Sequence, residues 1–417
     1  MSRAADSITG IKLSEIIRGG YRLVGWGTGS VFDFYDEFYP LPLSYLIDND
    51  SNRQGERKAG LEILGPDVLA GEDPAKTAII IYSSFWPEIE KQISRLGPFL
   101  VIHVTKLHNF EWQRKLDKLY RFSESSNILR SPSSDNAIVV QGPVMPDETR
   151  SVLRFYAAAY PNDWIILSTW ENTDDKLLSE VRPFVDECIL NRPPEKSGTK
   201  NRNYQIVSTR SGLEVASKLK CRFALKIRTD MFVAARNLIY NSRNSIEQWD
   251  SVAASRYGLE GRILIPMSFT RRYLLYHPSD LFMAGYVGDL LTFWQADLDD
   301  RIFDLEEACR QLSLKALSMG GMVTECYLGQ SFARRIGWKL KGDLLDSWQY
   351  YRDLFLVVDN RWADLCWLKN PSLITDLAWK RPQELVDHYF WQSLYLSKSR
   401  FTSSINDLDI SVQKWHG

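Results

Sequence analysis

The chain has 417 residues, enough at roughly 100–200 residues per domain for two or three domains. Its composition, 44% hydrophobic and 25% charged, excludes a disordered, collagen-like or coiled-coil protein. With 51 Lys plus Arg against 52 Asp plus Glu, the net charge of −1 offers no overall attraction to nucleic acid or anionic lipid. Nucleic acid is therefore not an expected partner. The five cysteines (Cys188, Cys221, Cys309, Cys326, Cys366) form no CxxC pair, which argues against a disulfide framework or a structural zinc site. The opening MSRAADSITGIKLSEI lacks an apolar stretch of signal-peptide length. Apolar runs such as AIIIY at 78–82 fall far short of the roughly 20 residues that span a bilayer. A soluble, cytoplasmic protein is expected, at most peripheral to the inner membrane.

Along the chain, strands are predicted at YRLVG (21–25), LSYLI (43–47), AIIIY (78–82) and FLVIHV (99–104). A helix is predicted over PEIEKQISRL (87–96), where Ile89, Ile93 and Leu96 fall on one face. The stretch FSESSNILRSPSSDN (122–136), with six Ser in fifteen residues, reads as a linker. Further strands follow at AIVVQ (137–141), WIILS (164–168), YQIVS (204–208), FALKIR (223–228) and RILI (262–265), and the remainder reads as helical and Trp-rich. This alternation predicts an α/β protein: a small Rossmann-like domain at 1–122, a linker at 123–136, and a second α/β domain at 137–417 with a helical C-terminal part.

In GWGTGS (25–30), Gly25, Gly27 and Gly29 lie where a backbone turns sharply towards a helix start, and Asp48 closes the next predicted strand. Glycines there let a pyrophosphate approach, and the carboxylate could hold a ribose hydroxyl. The spacing departs from GxGxxG and Trp26 is bulky, so a turn kept for the fold is favoured over a nucleotide site. With GWGTGS, the segments LIDNDSNRQG (46–55), GLEILGPDVL (60–69) and PEIEKQISRLG (87–97) resemble a small Rossmann-like domain attached to bacterial sugar-modifying proteins. His103 and His108 are the only histidines here, with no evident acid–base partner. NAD is therefore not expected, and an NAD(P)-dependent sugar oxidoreductase is a secondary alternative.

In the second region, polar residues cluster at strand ends, where open α/β sheets bind ligands. Candidate nucleotide-sugar contacts are Gln141, Gly142 and Pro143, then Ser168, Thr169 and Trp170, then Asn203, Gln205, Ser208 and Thr209. In LKIRTD (225–230), Lys226 and Arg228 share a strand face and Asp230 follows. The two cations could take phosphate oxygens while Asp230 takes a divalent ion, or Arg228 and Asp230 could simply form a salt bridge.

Six ordered segments carry a resemblance to the WavE family of bacterial lipopolysaccharide synthesis proteins. They are IVVQGPV (138–144), YPNDWIILSTWE (160–171), NRNYQIVSTRSGLEVA (201–216), LKIRTD (225–230), YHPSDLFMAG (276–285) and TECYLGQ (324–330). The resemblance implies a GT-A-like glycosyltransferase that moves a sugar from a nucleotide-sugar donor onto a lipopolysaccharide or capsular polysaccharide acceptor. That acceptor would be a glycan or a lipid-linked glycan. Asp230 would stand in for the last Asp of a DxD motif and hold manganese or magnesium. Arg228 occupies the place of the first Asp, which leaves the need for a metal open.

Transfer also needs a base for the acceptor hydroxyl. Asp280 is the first candidate and Glu325 its rival, with LFMAG after Asp280 small enough at Ala284 and Gly285 to admit a sugar ring. Arg271 and Arg272 are candidate partners for the departing diphosphate. Among Trp338, Trp348, Trp362, Trp367, Trp379 and Trp391, one or two could line an acceptor groove. A non-catalytic polysaccharide assembly factor is the remaining alternative.

Overall fold

The structure, a computed structural model, describes Ile16 and residues 19–38, 41–83, 85–104, 128, 130–146, 148–235, 237–368 and 384–397. His108, Trp379 and residues 122–127 and 129 of the predicted linker lie outside the described residues. Contacts divide the chain into two compact units, Met1–Asp117 with Asn370–Ser372, and Lys118–Lys369 with Leu373–Gly417.

The first unit is built on strands β1 (Arg22–Trp26), β2 (Leu46–Ile47), β3 (Arg57–Lys58), β4 (Leu61–Leu64), β5 (Thr77–Ile81) and β6 (Leu100–His103). Their order in the sheet is β3-β4-β2-β1-β5-β6, and every pairing is parallel except β3 with β4. β5 is buried along its whole length. Its alternate residues serve opposite faces: Ala78 and Ile80 pack with Leu23 and Phe32, whereas Ile79 and Ile81 pack with Val24, Trp26, Ile89 and Ile93. Helix α1 (Ser30–Phe38) follows the glycine-rich turn, and α2 (Trp86–Leu96) buries Ile89 and Ile93 but leaves Leu96 exposed in its last turn.

In the second unit, β7 (Asn136–Gln141), β8 (Trp164–Trp170), β9 (Glu187–Asn191) and β10 (Phe223–Arg228) are followed by a short β11 (Met231–Val233). Then come β12 (Ile263–Pro266), β13 (Phe282–Tyr286), β14 (Phe355–Val358) and β15 (Leu365–Trp367). The main sheet runs β14-β12-β13-β10-β7-β8-β9, while β11 and β15 form a separate antiparallel pair. β9, β8, β7 and β10 are mutually parallel, and β13 is antiparallel to both β10 and β12. From β7 the chain builds outwards through β8 to β9, then returns to place β10 on the other side of β7. In open α/β sheets such a reversal is where ligands bind, here at the carboxyl ends of β7 and β10.

Two sequence expectations are corrected here. YQIVS (204–208) is not a strand but part of a helix, α4 (Arg202–Lys218). Its β-branched pair looked strand-like locally, yet the buried residues Asn203, Ile206, Thr209, Leu213 and Ala216 recur at helical spacing. Ala284 and Gly285 do not border a sugar pocket, because FMAGY is the fully buried strand β13, paired with β10. Helices α3 (Glu148–Ala159), α5 (Val287–Trp294) and α6 (Thr324–Arg335) complete the elements that matter for the site.

Candidate functional site

In the glycine-rich turn, Gly27 has φ 106°, and a Cβ there would lie 2.7 Å from the Tyr82 carbonyl oxygen. Only glycine fits. Asp48 reaches back into this turn: its Oδ2 accepts from the Thr28 N–H at 3.0 Å and from the Thr28 hydroxyl, and its Oδ1 accepts from the Asp50 N–H at 3.0 Å. Burial opposes ionisation, but these bonds hold the carboxyl below its ordinary range. Arg53 donates to the Thr28 hydroxyl at 2.9 Å and Lys58 to the Thr28 carbonyl at 2.6 Å. The carboxylate that could meet a ribose is thus engaged by the turn itself. Gly29 faces open space.

In the second unit, most of the strand-end polar residues satisfy one another. The Ser208 hydroxyl donates to Gln141 Oε1 at 2.7 Å, the Asn191 amide to Ser168 Oγ at 2.8 Å, and the Gly142 N–H to the Ser168 carbonyl at 3.1 Å. Thr229 donates its N–H to the Gln141 carbonyl at 3.0 Å and packs against Gly142, stitching β7 to β10. Asn203 uses both ends of its amide to clamp Asp299, accepting from its N–H at 2.8 Å and donating to its carbonyl at 3.1 Å. Trp170 is buried edge-on to Tyr204. Thr209 is buried, Gln205 is half-buried and Pro143 is exposed. Ser168 is registered with Gln141, so alternation turns Thr169 to the opposite face of the sheet. Gln141, Thr169 and Asp230, candidates in the sequence for one nucleotide-sugar site, therefore do not share one hollow.

What the fold does bring together is a charged group at the β10–β13 border. Register pairs Ile227 with Phe282, so Asp280, two residues earlier, stands level with Thr229 at the same sheet edge as Arg228 and Asp230. Arg228 donates through Nε and Nη2 to the two Asp230 oxygens at 2.9 and 3.1 Å. Trp367 donates its indole N–H to Asp230 Oδ2 at 2.9 Å, with its ring beneath the Arg228 guanidinium at 5.1 Å. Burial works against the charged Asp230, but these partners overcome it and hold its carboxyl below the usual range. Both oxygens are taken by a cation and an indole. Among the described residues no group of three or more His, Cys, Asp or Glu is placed to hold a metal. The residues present do not fit a divalent ion at Asp230.

Lys226 is wholly buried; its ammonium donates to the Asp280 main-chain carbonyl and sits 4.6 Å from the centre of the Trp294 ring. It is not an open phosphate ligand. The Asp280 side chain, 4% exposed, accepts no hydrogen bond from any described residue. It precedes a strand, which excludes a helix-capping role. Glu325 lies in the first turn of α6, which can approach because Gly329 has no side chain: a Cβ there would be 2.2 Å from the Tyr276 carbonyl oxygen. This contact sets Glu325 Oε2 3.6 Å from His277 Nε2.

Burial, and then the negative charge of Asp280, push the Glu325 carboxyl up to about 7. Burial and the Arg271 charge push His277 down to about 3, so its imidazole is neutral. The two adjacent arginines diverge. Arg271 pairs with Glu384 at 3.2 Å and bears electrostatically on His277 and Glu325, whereas Arg272 stacks on the Phe390 ring at 3.8 Å. Of the tryptophans, Trp338, Trp348 and Trp391 are buried; Trp367 is the one that touches the charged group. His277 and Trp294 were not singled out from the sequence, and Trp367 was only one of six tryptophans considered for an acceptor groove. The only local signal was the run YHPSD, which places His277 three residues before Asp280.

The fold and this cluster define an α/β protein with an ionisable site at the carboxyl edge of a mixed sheet. Residues 137–339 match the family model described as WavE lipopolysaccharide synthesis. That description associates the matched segment with lipopolysaccharide synthesis. The search of curated proteins found no match. No helix among the described residues is long and apolar enough to cross a membrane.

Proposed function

We propose that the second unit is a GT-A-like glycosyltransferase, moving a sugar from a nucleotide donor onto a lipopolysaccharide or capsular glycan acceptor. The family match supports a role in lipopolysaccharide synthesis, and the strand-order reversal between β7 and β10 supports a nucleotide site at this edge. The observation that carries the reading is Asp280, a nearly buried carboxylate with no hydrogen-bond donor of its own. The Asp280 oxygens are not fully shut from solvent and take no donor from a described residue, so they are open to a substrate hydroxyl at this sheet edge. Asp280 takes the proton of the acceptor hydroxyl as its oxygen attacks the anomeric carbon and the bond to the diphosphate breaks. Arg228, about a quarter exposed, supplies positive charge to the departing diphosphate. No step passes through a metal ion. Glu325, which holds a proton near neutrality, acts as a hydrogen-bond donor beside the acceptor rather than as the base. In the first unit, the engaged Asp48 supports a structural role for the glycine-rich turn.

The test is a thermal-shift screen of UDP, GDP, CMP and their sugars, with and without manganese, on wild-type protein and Asp280→Asn. Ligands that bind only the native state raise its melting temperature. One nucleotide family should protect both proteins without needing manganese, and its sugar should turn over only in wild type. If no nucleotide protects wild type, the transferase reading falls.

A further inference from the structure

We infer that Lys226 is a positioning residue for Asp280, holding the carboxylate in place from beneath the sheet edge rather than binding donor phosphate. The inference rests on the reading of Asp280 as the base. Four observations support it. Lys226 is 0% exposed, so its ammonium cannot meet a phosphate without moving the sheet. Its hydrogen bond goes to the main chain of Asp280 itself, 54 residues away, across the β10–β13 border. The centre of the Trp294 ring lies 4.6 Å from the ammonium, which gives the cation a second contact. Burial pushes the Lys226 ammonium down to about 8, and Asp280 is the leading charge that opposes this and favours the protonated lysine.

The groups that share this field are Arg228 and Asp230 from the β10 end, Glu325 from α6, and Arg271 and His277 from the Asp280 loop, with Arg202 acting on Glu325. Lys226 is thus one of several charges near Asp280, but it is the one tied to the Asp280 backbone. Through that bond it sets where the carboxylate stands. Through its charge it places a positive centre beside that residue.

The test compares wild type with Lys226→Met, which keeps the stem and removes both bond and charge, and Lys226→Gln, which keeps a donor and removes the charge. Expected for Lys226→Met is a fall in kcat of about tenfold or more, with KM for the nucleotide sugar and nucleotide protection unchanged. The acid limb of the kcat–pH profile should move to higher pH in both variants, and Lys226→Gln should retain more activity than Lys226→Met. Lost nucleotide protection, a raised donor KM or an unmoved acid limb would each overturn the inference in favour of phosphate binding or mere packing. Should Lys226→Met fail to fold, Lys226→Gln decides by the same limb. If no nucleotide sugar turns over in wild type, the transferase reading fails separately. The Asp280 carboxyl can then be followed by NMR in 13C-aspartate-labelled protein. A titration shifted upwards in Lys226→Gln keeps the Lys226–Asp280 link, and an unshifted one removes it.

Discussion

Two strand-end carboxylates invite comparison. Asp48 stands beside a glycine-rich turn that resembles a nucleotide loop, yet Thr28 and Asp50 already supply its hydrogen bonds. Asp280 stands in a run without glycines, YHPSD, and its side chain accepts no hydrogen bond from any described residue although it is only 4% exposed. The motif marks one place and the unsatisfied chemistry marks the other. Ligand sites are better found where polar capacity is left open than where a pattern of glycines survives.

The sharpest way to break this comparison is Asp280→Asn. Transfer should fall by about 10²–10⁴-fold while the fold and nucleotide protection stay intact, as read by donor turnover and thermal shift. Undiminished turnover would remove Asp280 from the chemistry. Next in size is Gly329→Ala, whose Cβ would lie 2.2 Å from the Tyr276 carbonyl oxygen. It should lower stability by about 1–3 kcal/mol in urea unfolding and reduce transfer, because α6 carries Glu325 against the Asp280 loop.

Glu325 provides a pH test. Its carboxyl is raised to about 7 in the folded protein, so the native state binds that proton more tightly than the unfolded chain. The resulting stabilisation is full below the unfolded value of about 4.3 and disappears as pH rises through about 7. Glu325→Gln should therefore remove a loss of stability on the order of 3 kcal/mol between pH 4 and 8, measured by urea midpoints across that range. An unchanged pH profile would place Glu325 in water. The smallest effect belongs to Asp48→Ala, which should destabilise the first unit by about 1 kcal/mol and leave transfer unchanged. A loss of transfer there would overturn the contrast between the two carboxylates.

Several features were legible along the chain. The run FALKIR is strand β10 as predicted, and the order of motifs from IVVQGPV to TECYLGQ falls within the matched segment 137–339. Glu325, the rival to Asp280 for the base in the sequence reading, lies close enough for the Asp280 charge to raise its carboxyl. Other features were misread because local pattern competes with packing. Ile206 and Val207 favour a strand in isolation, but the helical stripe from Asn203 to Ala216 is what packs. Gln141, Ser168, Asn203 and Ser208 looked open because each is polar, whereas each is bonded to another buried group.

By itself the sequence determined the α/β class and the main parallel strands, because apolar runs bounded by turn residues are local properties. It also carried the family resemblance in its ordered motifs. Only the tertiary structure decided which charges are satisfied. Lys226 meets Asp280 across 54 residues and Asp230 meets Trp367 across 137. Such pairings depend on strand register and helix approach, which set distances that no single segment of chain contains.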